Sequence, residues 1–111
     1  MATENVDQSK WGPPLSPIHP LGNGSRIVGA DAAAEQRELL CLLLDEERDL
    51  SSFARRGILM RVLDLADISQ ELFEGTSDNA PYLIASRLYG MGNSECSAAA
   101  DAIRADRGGL Q

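Results

Sequence analysis

Residues 51–74 read SSFARRGILMRVLDLADISQELFE, and apolar side chains recur in them every three or four positions. That period indicates an α-helix with an apolar face. Ser51 or Ser52 can cap its first turn, because a serine hydroxyl accepts a hydrogen bond from a free amide. Gly75 can adopt the left-handed conformation that ends a helix after Glu74. The sequence predicts its longest helix here.

The apolar face of this helix is wide. Its main stripe comprises Ala54, Ile58, Val62, Leu65 and Leu72. Met60 and Ile68 fall outside that stripe. Further apolar residues widen the face to about twice the roughly 100° that covers a small core.

Another helix is predicted upstream, from Asp31 to Glu47. The carboxylate of Asp31 can accept from the amides of the first turn, and the alanine-rich run that follows has high helix propensity. The five leucines between residues 39 and 44 cover an arc of roughly 200°.

Two shorter helices follow. Pro81 suits the first turn of a helix reaching Tyr89, because a first-turn residue needs no paired N–H. Asn93 or Ser94 can cap a last, alanine-rich helix. The predicted fold is all-α, a small bundle of about four helices formed by residues 31–108.

Residues 1–30 contain four prolines and lack helical periodicity. They are predicted to form an extended Pro/Gly-rich N-terminal arm. Trp11, Leu15 and Ile18 are its candidate binding residues, because these apolar groups favour a surface. That surface is either the chain's own domain or a partner.

The two wide apolar faces exceed what two weaker helices can cover. Large exposed apolar patches usually mark an interface, so a homodimer built on the first two helices is favoured. The alternative is a monomer covered by its own arm. The candidate residues for a dimer or partner face are Leu39, Leu40, Leu43, Leu44, Ile58, Val62, Leu65 and Leu72.

Composition excludes several classes of protein. The 111 residues carry a net charge of −7, which disfavours direct contact with nucleic acid or an anionic membrane. Cys41 and Cys96 are too few for a disulfide scaffold, and both are expected to be buried thiols. No apolar run is long enough for a membrane span or follows a basic leader, so a cytoplasmic location is expected.

No catalytic or cofactor motif is present, and the protein is not expected to be an enzyme. His19 lies between Ile18 and Pro20, away from any recognisable nucleophile. An enzyme would need chemistry from His19, Cys41 or Cys96. No metal site is expected, because the carboxylates at 45–49 lack the alternating spacing of a calcium loop and indicate a solvated face. No cofactor is expected.

Two stretches of the sequence carry a resemblance to a known family. They are residues 9–50, SKWGPPLSPIHPLGNGSRIVGADAAAEQRELLCLLLDEERDL, and residues 57–75, GILMRVLDLADISQELFEG. The chain resembles small quorum-sensing antiactivators. The resemblance implies a helical dimer that binds a LuxR-type transcription factor and blocks that factor's dimerisation and DNA binding. It assigns no individual residue.

A competing hypothesis is an acidic DNA mimic that inhibits a nucleic-acid-binding protein. The affinity of a mimic should fall steeply with ionic strength, whereas an apolar interface should change little. Arginines interleave with the acidic residues here, which makes poor mimicry. They are Arg37, Arg48, Arg55, Arg56 and Arg61.

Overall fold

A computed structural model describes residues 22–74 and 80–109, with side chains described to residue 107. These residues form four helices and no strand. The helices are α1 (Asn23–Leu44), α2 (Ser52–Glu74), α3 (Pro81–Tyr89) and α4 (Ser94–Gly109). The predicted all-α bundle is confirmed.

Helix α1 begins eight residues before the predicted start and ends three before the predicted end. The prediction that Asp31 caps it is wrong, because Asp31 lies within the helix. The cap comes from α4, where a carboxylate oxygen of Asp106 accepts from the backbone N–H of Ser25 at 2.5 Å. Residues 23–30 are therefore helical and belong to the domain. Trp11, Leu15, Ile18 and His19 lie outside the described residues.

The start of α1 lies very close to α4. A Cβ placed on Gly24 would lie 2.4 Å from the Cβ of Ala102 and 2.7 Å from its carbonyl carbon. Gly22 has φ +77°, and a Cβ there would lie 2.6 Å from the Cγ of Asp106. Both positions require glycine, and the two helices meet through backbone and small side chains.

Local signals placed the other helix starts correctly. The hydroxyl of Ser51 accepts from the N–H of Ala54 at 3.1 Å, as expected for a cap of α2. Pro81 occupies the first turn of α3. The side-chain oxygen of Asn93 accepts from the N–H of Cys96 at 2.7 Å and caps α4.

The core lies at one end of the α1–α2 hairpin, where α3 and α4 cover it. Helix α2 contributes only residues from its second half. The core comprises Val28, Ala32, Leu65, Ile68, Leu72, Ile84, Ala85, Leu88, Cys96, Ala99, Ala100 and Ile103. The prediction that Ile68 lies outside the apolar stripe is wrong, since Ile68 is fully buried.

Candidate protein-binding surface

The other end of the α1–α2 hairpin contributes no residue to the core found among the described residues. We call residues 33–64 the distal hairpin. None of these residues is buried, although they include the last three turns of α1 and the first half of α2. The packing around these residues is therefore looser than around the core.

Large apolar side chains are exposed on the distal hairpin. Phe53 is 88% exposed and Leu44 is 78% exposed. We call Leu44, Phe53 and Leu40 the tip surface. A second set, Leu59, Met60 and Leu63, lies along α2, with Leu63 65% exposed. Exposed patches of this kind usually mark binding surfaces.

The predicted interface residues divide into three groups. Leu40 and Leu44 are exposed. Leu39, Leu43, Ile58 and Val62 are half-buried. Leu65 and Leu72 lie in the core of their own chain and cannot present a face, which corrects their assignment. They are buried because α3 and α4 cover only the second half of α2.

Sequence reasoning did not select Phe53, Leu59, Met60 or Leu63 as site residues. Three of them line an open groove of about 590 Å³ on the outer side of α2. The groove is lined by Ser52, Arg55, Arg56, Leu59, Met60 and Leu63. The signal was present as a second apolar spacing of three and four residues along this helix.

Arg61 fixes the base of the distal hairpin by joining three helices. Its guanidinium donates to both carboxylate oxygens of Glu35 in α1, at 2.7 and 3.1 Å. It also donates to the carbonyl oxygens of Arg87 and Leu88, at 2.7 and 3.2 Å. The hydrogen bonds from Arg61 to Glu35 raise the pKa of the guanidinium, against the opposing effect of burial. A cation at the carbonyl end of α3 also complements the helix dipole.

Asp64 and Arg87 extend this network between α2 and α3. Arg87 donates to Asp64 through two nitrogens, one of them at 3.1 Å, and to Glu71 at 3.3 Å. These contacts, led by the hydrogen bonds to Asp64, raise the pKa of the Arg87 guanidinium. The network holds α2 and α3 together beside the core.

Tyr89 ties the end of α3 to α1. Its hydroxyl donates to a carboxylate oxygen of Asp31. Burial raises the pKa of the Tyr89 hydroxyl well above its usual value of 10.0, and the hydrogen bond to Asp31 raises it further. Asp31, predicted to cap α1, therefore has a packing role instead.

The turn between α1 and α2 is acidic and exposed. Asp45, Glu46, Glu47 and Asp49 all lie at the surface, and Arg48 pairs with Asp45 at 3.4 Å. Within the described residues, no group of three or more His, Cys, Asp or Glu side chains is placed to hold a metal ion. This acidic turn lies between Leu44 and Phe53 of the tip surface in the sequence.

The two cysteines differ in environment. Cys96 is buried in the core, as predicted, whereas Cys41 is exposed and its predicted burial is wrong. Cys41 lies on the distal half of α1, where no residue is buried.

Comparisons with family models, with curated protein sequences and with solved structures find no match for this chain. Across the described residues, no helix combines the length and apolar character needed to cross a membrane.

Proposed function

We propose that this chain is a non-enzymatic regulatory protein that binds another protein through its distal hairpin. The observation that carries the proposal is the lack of any buried residue between positions 33 and 64. Leu44, Phe53 and other large apolar side chains are exposed in this stretch. Burial of such side chains at an interface stabilises a complex by roughly 1.5 to 3 kcal/mol each.

The tip surface suits a partner with an apolar patch and basic residues around it. Phe53 and Leu44 offer the apolar contact, and the turn between them carries four exposed carboxylates. Aromatic side chains frequently dominate the free energy of an interface, so Phe53 is the expected anchor.

The proposed partner is a LuxR-type quorum-sensing transcription factor. Support for this class comes from the resemblance to the antiactivator QslA over residues 9–50 and 57–75. In the proposed mechanism the chain covers the surface through which the factor dimerises, and the factor then fails to bind its promoters. The net charge of −7 favours contact with the regulator over contact with its DNA.

The test uses a LuxR-type regulator from the same genome, bound to a labelled promoter duplex and followed by fluorescence anisotropy. Adding the chain should release the duplex. Phe53→Glu and Leu44→Glu should each weaken this effect at least about tenfold, since every 1.4 kcal/mol of lost contact is a factor of ten. Leu83→Glu is the matched control, because Leu83 is an exposed leucine on α3, outside the hairpin. If all three variants released the duplex with equal potency, the proposed role of the tip surface in binding would be contradicted.

A DNA mimic remains the second candidate because the turn carries four exposed carboxylates. Calorimetric titration of the regulator with the chain, without DNA, separates the two functions. An apolar interface should keep its affinity between low and high salt, whereas a mimic should lose tenfold or more. A steep salt dependence would favour the mimic.

A further inference from the structure

The groove on the outer side of α2 shares no lining residue with the tip surface. Its lining residues recur every three or four positions from Ser52 to Leu63, so they share one face of the helix. The core residues Leu65, Ile68 and Leu72 project from the opposite side. The groove spans about 17 Å at 1.5 Å per residue, which is long enough for about three turns of another helix.

Three apolar side chains line this groove, and each is more than half exposed. They are Leu59, Met60 and Leu63. Removing such side chains from water favours association with another apolar surface. The unbranched thioether of Met60 adapts to the shape of the side chains that it meets, which suits a binding surface.

Arg55 and Arg56 give the same groove a positive charge. Both residues are exposed, and neither has an ion-pair partner among the described residues. In contrast, Arg61 and Arg87 are each held by at least two carboxylates. Cations beside an apolar strip complement a ligand whose carboxylates stand next to apolar residues. An arginine suits this role because its guanidinium can donate two hydrogen bonds to one carboxylate.

The groove favours a helical ligand over an extended one. An extended segment leaves its own N–H and C=O groups unpaired unless a sheet edge receives them, and the described chain has no strand. A proline-rich segment docks on aromatic side chains, and none of the described lining residues is aromatic. A helix pairs its own backbone groups and needs only side-chain contacts.

We propose that this groove binds an acidic amphipathic helix of a partner protein. The apolar face of that helix packs on Leu59, Met60 and Leu63. Its glutamate or aspartate side chains pair with Arg55 and Arg56. The inference goes beyond the proposed function, because it uses residues outside the tip surface and a ligand of opposite charge to the partner expected there. It does not depend on the antiactivator function.

Other anionic ligands fit the groove less well than an acidic helix. Nucleic acid would place its phosphates against three apolar side chains, which phosphates do not complement. An anionic membrane would repel a chain whose net charge is −7. An acidic helix instead offers both the apolar and the charged contact over the length of the groove.

The first test is a titration of the full chain with two labelled synthetic helices, followed by fluorescence anisotropy. Each peptide has about four turns with leucines at every third or fourth position, and one end carries a cluster of glutamates in one peptide and of lysines in the other. The chain should bind the glutamate peptide at least about tenfold more tightly than the lysine peptide. Replacing both groove arginines, Arg55→Glu with Arg56→Glu, should reverse this preference.

The matched control for the charge reversal is Arg37→Glu with Arg104→Glu. Both arginines are exposed and lie outside the groove, and the net charge changes by the same amount. This control should therefore keep the preference for the glutamate peptide. A loss of preference in both double variants would show a general effect of net charge and overturn the proposal.

The apolar contact is tested by Leu63→Ser, which should weaken binding of the glutamate peptide about fivefold or more. The helical signal should not change, because this side chain is exposed. Leu83→Ser, an exposed leucine on α3, should bind as the wild type does. Leu44→Glu should also bind normally, so failure of the groove and failure of the tip surface are distinguishable results.

Three further results would overturn the proposal. The first is equal or absent binding of the two peptides. The second is binding to phosphatidylserine vesicles that the Arg55→Glu, Arg56→Glu variant abolishes, which would assign the groove to a membrane surface. The third is a wild-type dimer, seen by light scattering, that the glutamate peptide dissociates, which would assign the groove to a second copy of the chain.

Discussion

Replacing Gly24 with alanine should destabilise the protein, although alanine is the better helix former. The added Cβ would lie 2.4 Å from the Cβ of Ala102 and 2.8 Å from its carbonyl oxygen. Carbon atoms pack at about 3.5 to 4.0 Å, so α1 and α4 would have to separate by about 1 Å. The hydrogen bond from Ser25 to Asp106 would lengthen with them, and α1 would lose its cap.

The magnitude follows from two opposing effects. Overpacking of this kind costs about 1 to 3 kcal/mol, and a weakened cap costs about 1 kcal/mol more. The gain in helix propensity is at most about 1 kcal/mol. We expect a net loss of about 1 to 3 kcal/mol, which for a domain of this size lowers the melting temperature by about 4 to 8 °C per kcal/mol.

Gly57→Ala is the matched control. Gly57 lies within α2, and a Cβ there would meet nothing within 4 Å. The same substitution should therefore stabilise the protein by about 0.5 to 1 kcal/mol. Both variants are measured by thermal and urea unfolding, followed by circular dichroism. If Gly24→Ala were as stable as Gly57→Ala, the close approach of α1 and α4 would be refuted.

Two further predictions concern the contacts at the base of the distal hairpin. Arg61→Met keeps the aliphatic stem but removes the hydrogen bonds to Glu35 and to the carbonyls of α3, and should cost about 2 to 3 kcal/mol in urea unfolding. Arg104→Met should cost less than about 0.5 kcal/mol, because its pair with Asp101 is well exposed; equal losses would contradict the role of Arg61. Tyr89 has a folded-state pKa above its unfolded value of about 10. Its contribution to the free energy of unfolding is therefore complete below pH 10 and is lost as the pH rises above 10. The loss is at most about 1.4 kcal/mol per pH unit. Urea midpoints between pH 8 and 11 should show this fall in the wild type, whereas Tyr89→Phe, which has no hydroxyl to titrate, should show a smaller one.

Local sequence signals predicted α2 and α3 almost to the residue. Ser51, Pro81 and Asn93 act within their own first turns, so the sequence alone reveals their roles. The start of α1 could not be found in this way, because its cap, Asp106, lies 81 positions from Ser25. Asp31 offered a plausible local cap, but its carboxylate accepts from Tyr89 instead.

The core and the candidate surface were predicted only in part, and the reason differs from the one that applies to the start of α1. Periodicity shows that α2 has apolar faces, but not which length of the helix its neighbours cover. Leu65 and Leu72 were assigned to an interface and lie in the core, and Ile68 was assigned outside the stripe and is fully buried. Leu40 and Leu44 were assigned to an interface and are exposed. Their place in a complex stays a prediction.

The uncovered end of the α1–α2 hairpin bears on how long the free protein survives in a cell. None of residues 33–64 is buried, so their backbone amides should open and exchange with solvent well before those near Leu65 and Val28. Proteases cleave segments that open in this way. A bound chain, with these turns covered, should therefore be degraded more slowly than a free one. Under the proposed function, the amount of this chain that persists would then follow the amount of its partner.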